Sequence, residues 1–376
     1  MLRPRCRRPK AYRFGKWDLA SEGFEFAGCH VKQQKDFSVT LDQKDYTLPW
    51  LEEMQIEKDR SDKEVLVPSE ISELRGVLGT LSWRATQSAP QFLADTSLFL
   101  SEVKVATIST LRRVNKVIRE VRRTAEQPLL FPSWGCELCD LAVVTWADAS
   151  NHNRVDKSSS VGMITGVAPK SFLHGEECQV AVVQWKSGKT PRQCLGSNGA
   201  EVQAITMGED QNFQVRAFLR KVTGATLNRE NLREQVAQTL GALVMDSRGI
   251  YDAMTRNLSS LHGLRESRAG YELTLAVNQA RSVGTRLRWV NGLAQLADAL
   301  TKADNRKGFL QFLGQKQFWR LVHDEKFVAG RKLHKRDLEK QFRESEKSYL
   351  NVLRDLAGKY NWPWCEPDAP PEPLLG

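Results

Sequence analysis

Four acidic residues, Asp148, Glu201, Asp246 and Asp298, recur at intervals of 53, 45 and 52 residues. Each stands where an apolar run ends or within a helical pattern. Asp148 lies just beyond Leu141-Ala-Val-Val-Thr-Trp146, and Asp246 directly follows Gly241-Ala-Leu-Val-Met245. Glu201 falls in Ser197-Asn-Gly-Ala-Glu-Val-Gln-Ala204 and Asp298 in Leu296-Ala-Asp-Ala-Leu-Thr-Lys302, both with helical patterning. Strand ends and helices can converge on one point. Carboxylate oxygens are the ligands that Mg²⁺ takes in near-octahedral geometry, and two such ions can clamp the attacking and leaving oxygens of a phosphodiester. The chemistry open to this set is metal-dependent hydrolysis of nucleic acid. The competing reading is that these are four ordinary surface charges among the 45 Asp and Glu of the chain.

The elements that must position the acids separate the two readings. Runs of apolar and β-branched residues mark short strands near 141–146, 160–166 and 179–186. They are followed by a helix near 199–220, a strand at 241–246, helical stretches through 281, a strand at 285–290 and a helix from 293. Three strands, helix, strand, helix, strand, helix resembles the ribonuclease H order.

The resemblance extends to motifs. Trp146-Ala-Asp-Ala-Ser-Asn-His-Asn-Arg-Val-Asp-Lys-Ser-Ser-Ser-Val-Gly162, Gln184-Trp-Lys-Ser-Gly-Lys189, Ser197-Asn-Gly-Ala-Glu201 and Gln295-Leu-Ala-Asp-Ala-Leu-Thr-Lys302 are similar to the RNase H domain of copia-type retrotransposon Pol polyproteins. Upstream, Phe24-Glu-Phe-Ala-Gly28 and Leu74-Arg-Gly-Val-Leu-Gly-Thr-Leu-Ser-Trp-Arg-Ala-Thr-Gln-Ser-Ala-Pro90 resemble the late palm and thumb of the same polyprotein's reverse transcriptase. The matches span residues 20–305. The resemblance implies an α/β, RNase H-like mixed five-stranded sheet with flanking helices, preceded by a partial palm and thumb and followed by a helical tail. It also implies that Asp148, Glu201, Asp246 and Asp298 are the metal-binding and catalytic carboxylates, holding two Mg²⁺ or Mn²⁺ ions. On that reading Asp148 and Asp246 hold the metals, Glu201 lies nearer the 2′-hydroxyl side and Asp298 completes the set. The implied substrate is an RNA·DNA hybrid, whose wide minor groove carries 2′-hydroxyls on one strand only. The remaining Pol segments are candidate partners.

The chain departs from the family at several positions. Gly199 stands where the family usually carries an acid two positions before the glutamate, and its basic stretch before the last strand is reduced to Arg265 and Arg268. Leu293 follows Trp289-Val-Asn-Gly292 where cellular RNases H carry a histidine, and Ala89-Pro90-Gln91 replaces the thumb's Arg-Pro-Asp. No Asp-Asp pair occurs anywhere, so polymerisation by this chain alone is not expected. The rival reading is a catalytically inactive nucleic-acid-binding remnant, and a third is an α/β interaction protein whose acids are surface charges. Convergence of the four carboxylates discriminates among them.

Charge fits a polyanionic partner. The 376 residues carry a net charge of +10 with a pI near 9.3. Arg3, Arg5, Arg7, Arg8, Lys10, Arg13 and Lys16 precede any acid, forming a basic arm of disordered type at 1–19. Within 102–124, Ile108, Leu111, Val114 (or Asn115), Ile118 and Val121 repeat at helical spacing, while Arg112, Lys116, Arg119 and Arg123 occupy another face. That face is a candidate track for a phosphate backbone, or simply a solvated surface.

Several classes drop out. No segment has the uninterrupted apolar length of a membrane span, and the basic start lacks the apolar stretch of a signal peptide. Seven cysteines, scattered and odd in number, suit a reducing compartment, so the chain is expected inside the cell, in cytoplasm or nucleus. Cys136-Glu-Leu-Cys139 has metal-ligand spacing without a second pair, and Ser187-Gly-Lys-Thr190 lacks the first glycine of a phosphate loop and reads as a turn. Gln127-Pro-Leu-Leu-Phe-Pro132 marks a boundary. The expected organisation is a basic arm at 1–19, a reverse-transcriptase remnant at 20–126, an RNase H-like domain at 133–305, a helical extension at 306–360 and a Pro-rich disordered tail at 361–376.

Overall fold

The computed structural model of the protein describes residues 21–255, 267–303 and 305–321. The basic arm, the greater part of the expected helical extension, the Pro-rich tail and Arg265 lie outside them. Two compact units form, one from residues 21–90 and 103–133, the other from 91–102 and the described residues after 133.

The first unit opens with strands β1 (Phe24–Phe26), β2 (Cys29–Gln33) and β3 (Val39–Asp42), an antiparallel meander. Helices α1 (Lys44–Trp50) and α2 (Pro68–Gln87) follow. Helix α3 (Leu93–Glu102) belongs to the second unit; α4 (Ile108–Arg123) returns to the first, and β4 (Leu129–Phe131) closes its sheet against β3. The α4 pattern behaves as its spacing predicts. Ile108, Leu111, Val114, Ile118 and Val121 are all buried, and Arg112, Lys116, Arg119 and Arg123 are all exposed. Asn115 is buried as well, because it replaces missing backbone partners: it accepts from Met54 N at 3.0 Å and donates to Met54 O at 2.8 Å.

The second unit is built on β5 (Leu141–Ser150), β6 (Ser160–Pro169), β7 (Cys178–Gln179), β8 (Ala181–Lys189), α5 (Ser197–Val222), α6 (Leu232–Ala237), β9 (Gly241–Met245), α7 (Arg248–Thr255), α8 (Ser267–Ser282), β10 (Thr285–Trp289), α9 (Lys307–Gly314) and β11 (Phe318–Trp319). Its five-stranded sheet has the order β10-β9-β5-β6-β8, with β5, β6 and β8 antiparallel and β9 and β10 parallel to β5. This is the mixed sheet with flanking helices of an RNase H-like α/β fold. Central strand β5 is buried over nearly its whole length, which explains a run without polar alternation. Helix α5 covers one face, and Ala200, Ile205, Leu243, Met245, Leu273 and Val277 form the core between that helix, α8 and the sheet. A Cβ at Gly208 would stand 2.9 Å from Ala147 Cβ, so glycine there lets α5 lie close on β5. Farther along α5, Asn212 donates to Thr145 Oγ1 and Ala242 O, both at 3.1 Å, and buried Arg216 donates to Thr239 O at 2.8 Å and Thr285 Oγ1 at 2.9 Å.

The structure departs from the sequence expectations in places. The strand expected at 179–186 is split at Val180, whose N–H donates to Gln317 O at 2.9 Å, while Gln317 Nε2 donates to Val180 O at 2.7 Å. Beyond the break β8 runs through Lys189, paired with Ser160, so Ser187-Gly-Lys189 is strand rather than turn. The helix expected from 293 is instead two short 3-10 turns, Gly292–Ala294 and Leu296–Leu300. Every residue from Leu296 to Leu300 is buried, so the stretch lacks the solvent face that its amphipathic spacing predicts. Residues 307–319, set apart by composition as the start of an extension, pack in this unit: Phe309 and Phe312 are buried, and Phe312 meets Trp319 edge-on at 6.0 Å. Residues 91–102, inside the segment resembling reverse transcriptase, also belong here. Arg154 Nη2 donates to Ser97 O at 2.9 Å, and Arg306 pairs with buried Asp95 at 3.3 Å.

Candidate metal centre

Topology brings the acids together. Strands β5 and β9 are parallel neighbours, with Trp146 level with Val244, so Asp148 and Asp246 emerge at the same edge of the sheet. The Leu296–Leu300 turn then crosses that edge. Gln295 anchors it, donating to Ala147 O at 3.0 Å and accepting from Ala297 N at 3.3 Å. Gly162, directly across the ladder from Asp148, makes room: a Cβ there would stand 2.7 Å from Leu300 Cβ and 2.8 Å from Thr301 Cγ2. That close approach presents Asp298 to Asp148. Glu201 comes from the opening turns of α5, the helix that Gly208 allows to lie against β5.

Carboxylate oxygens of Asp148, Asp246 and Asp298 all lie within 4.8 Å of one another, and the side chains of Asp148 and Asp298 are nearly inaccessible. Glu201 is not one of these three, but the Asp148 and Asp246 charges both act on it. Its Oε2 is buried with no hydrogen-bond partner among the described residues. Burial first, and then the neighbouring acids, drive the protonation equilibria. The Asp148 carboxyl is pushed up to about 8, with Lys302 and a Thr301 hydrogen bond opposing the rise. Glu201 is held well above the usual carboxylate range, and Asp246 is raised by burial and by Asp298. Burial works to lower the Lys302 ammonium, yet Asp148, Asp298 and Asp246 outweigh it and raise its pKa.

Thr301, Lys302 and Asn305 grip Asp148 and Asp298, Gln295 hydrogen-bonds Asp246, and none of the four was singled out as a site residue from the sequence. Thr301 Oγ1 donates to Asp148 Oδ2 in a short hydrogen bond. Lys302 Nζ lies 2.5 Å from Asp298 Oδ1 and 3.5 Å from Asp148 Oδ2, and Asn305 Nδ2 donates to Asp298 Oδ2 at 2.6 Å. The available signal was the spacing of Asp298 and Lys302, an i,i+4 pair with the acid N-terminal.

Four carboxylates crowd against one ammonium, and they resist ionisation until a further cation offsets the charge they would carry. The cluster offers only oxygen ligands, and Glu201 Oε2 is an acceptor without a donor among the described residues. Such a set suits a hard divalent cation such as Mg²⁺ or Mn²⁺ rather than a thiolate- or imidazole-seeking metal. Among the described residues no other group of His, Cys, Asp and Glu could hold an ion. Cys136 and Cys139 are exposed and form no such group, and Lys189 pairs with Asp156 at 2.6 Å while Thr190 is buried.

The basic face of α4 is partly engaged within its own unit. Arg112 pairs with Asp62 at 2.8 Å and donates to Arg60 O at 3.1 Å, and Arg119 pairs with Glu53. Both ion pairs are solvent-exposed. No helix among the described residues is long and apolar enough to cross a membrane.

No family model matches the chain, and no curated protein does. Solved structures similar to part of it include two of foamy viral protease-reverse transcriptases. One is a foamy viral protease-reverse transcriptase in complex with an RNA/DNA hybrid, at 10% identity and a TM-score of 0.29, covering 48% of this chain and 21% of that chain. The other is a foamy viral protease-reverse transcriptase in complex with dsDNA, at 12% identity and a TM-score of 0.28, covering 46% of this chain and 99% of that chain. The chain thus spans about a fifth of the length of the first.

Proposed function

We propose that this chain is the RNase H part of a copia-type retrotransposon Pol polyprotein, preceded by the end of its reverse transcriptase, and that it hydrolyses the RNA strand of RNA·DNA hybrids. The observation that carries this reading is the convergence of Asp148, Asp246 and Asp298 from three separate elements, with Glu201 Oε2, buried and without a hydrogen-bond partner among the described residues, near them. Surface charges would not gather in a buried cluster, because each buried carboxylate opposes ionisation of the next.

Asp148, Asp246, Asp298 and Glu201 would hold Mg²⁺ or Mn²⁺. Bound divalent ions supply charge stabilisation at the scissile phosphate and an activated water. Asp148 is central to the arrangement, since Thr301 fixes one of its oxygens and the other acids act on it from several sides. Gln295 and Gly162 hold the Asp298 turn in place, so the ligand geometry is set by packing before substrate arrives. The 2′-hydroxyls of the RNA strand distinguish it from DNA, and Glu201 is assigned to that side by resemblance.

One observation favours the rival reading of an inactive nucleic-acid-binding remnant: Lys302 already neutralises part of the cluster. A hybrid labelled separately on each strand decides between them. The nuclease reading expects Mg²⁺-dependent cleavage confined to the RNA strand and abolished by EDTA; binding without cleavage at any Mg²⁺ or Mn²⁺ concentration supports the remnant.

A further inference from the structure

Lys302 occupies an unusual place for a partly exposed lysine. Its ammonium lies between carboxylates contributed by two elements, Asp298 on the buried turn and Asp148 at the end of β5. Those two acids face each other, and the ammonium is in ion-pair contact with both. Its side chain remains 40% exposed, so it can withdraw into solvent along its own stem. The carboxylates would not follow it. Thr301 Oγ1 stays on Asp148 Oδ2, and Asn305 Nδ2 stays on Asp298 Oδ2. The ammonium is therefore removable while the acids are fixed.

A divalent cation held by Asp148 and Asp298 would be repelled by the ammonium and would compete with it for Asp148 Oδ2 and Asp298 Oδ1. We propose that Lys302 is a built-in competitor for the metal ion that Asp148 and Asp298 share, bridging the two carboxylates in the metal-free chain and leaving when the ion binds. This rests on the metal-dependent reading above. It assigns Lys302 a positioning role: the bridge offsets the mutual repulsion of two acids already held by Thr301 and Asn305, and sets how much divalent ion is needed to load the site.

Calorimetric titration of the full chain with Mn²⁺ tests the proposal without any activity readout. Lys302→Met, of similar length and without charge, is expected to bind about tenfold more tightly or better than the parent, since a charge-assisted hydrogen bond no longer has to be given up. Lys302→Arg keeps the charge and should stay close to the parent. Thermal melting in EDTA should place Lys302→Met below the parent, because the bridge is gone. On the parent chain itself, acylation of Lys302 by an amine-reactive ester, followed by mass spectrometry, should rise when Mn²⁺ is added, which keeps the test open if a variant fails to fold. Equal or weaker binding by Lys302→Met, tighter binding by both variants, or metal-independent labelling of Lys302 overturns the proposal while leaving the metal site standing. No binding heat with the parent or Lys302→Met overturns it together with the metal-dependent reading.

Discussion

Asp148 is the most buried carboxylate of the candidate site. It is almost fully buried and stands among three other acids, with the Thr301 hydroxyl and the Lys302 ammonium to offset them. A pH dependence follows. Its carboxyl titrates near 3.8 when unperturbed and is pushed up to about 8 by burial and the neighbouring acids, and Glu201 and Asp246 move in the same direction. A folded state that binds a proton more tightly than the unfolded chain is favoured at low pH, and that contribution is lost as pH rises through the folded value. The metal-free protein is therefore expected to melt at progressively lower temperature as pH rises from about 4 to about 8. Divalent ions displace the same protons, so added Mg²⁺ should raise the melting temperature more at pH 8 than at pH 5. Melting curves in EDTA and in Mg²⁺ across that range check both halves; a Mg²⁺ effect independent of pH would show that these carboxylates are not the ligands.

At the scale of elements, the site depends on how closely the Leu296–Leu300 turn approaches β6. Gly162→Ala places a methyl group 2.7 Å from Leu300 Cβ, a clash relieved only by moving the turn or the strand. We expect the variant to lose about 1–3 kcal/mol in urea unfolding, as overpacked cores do, and to cleave hybrid more slowly because Asp298 moves with the turn. Unchanged stability would mean that the turn is held elsewhere. Asp148 and Asp246 were readable in the sequence because each stands at or just beyond the end of a largely apolar run, and strand ends can converge on one point. The Asp298 turn was not readable as such, since Leu293, Leu296, Ala297 and Leu300 have helical spacing, and the β5 and β6 residues it packs against are distant in sequence. Thr301, Lys302 and Asn305 were missed for a related reason. A lysine four residues after an aspartate ordinarily marks a solvated helix face, and its meaning changes only once the fold buries the acid. Residues 91–102 and 307–319 likewise gave no local sign of packing in the nuclease-like unit, because their partners are distant in sequence.

For the whole molecule, the excess of basic residues over acidic ones suits a polyanionic partner, and the exposed face of α4 is the candidate surface. The Arg112–Asp62 and Arg119–Glu53 pairs do not argue against it, because exposed ion pairs contribute at most about 1 kcal/mol and exchange readily for phosphate. Replacing Arg112, Lys116, Arg119 and Arg123 together with glutamine should weaken hybrid binding, and each phosphate that is no longer neutralised should lower the log–log salt slope by about 0.7–0.9. Affinity and slope equal to those of the parent, measured by fluorescence anisotropy at low and moderate salt, would make this face a solvated surface only. The proposed cutting of RNA by the buried acids is tested by cleavage of a labelled RNA·DNA hybrid in Mg²⁺ by the parent chain and by Asp148→Asn. The change removes a charge at nearly constant volume, so circular dichroism should show both proteins folded. Cut RNA is expected with the parent, and a loss of rate by orders of magnitude with the variant; a folded Asp148→Asn that cleaves at the parent rate would contradict the claim.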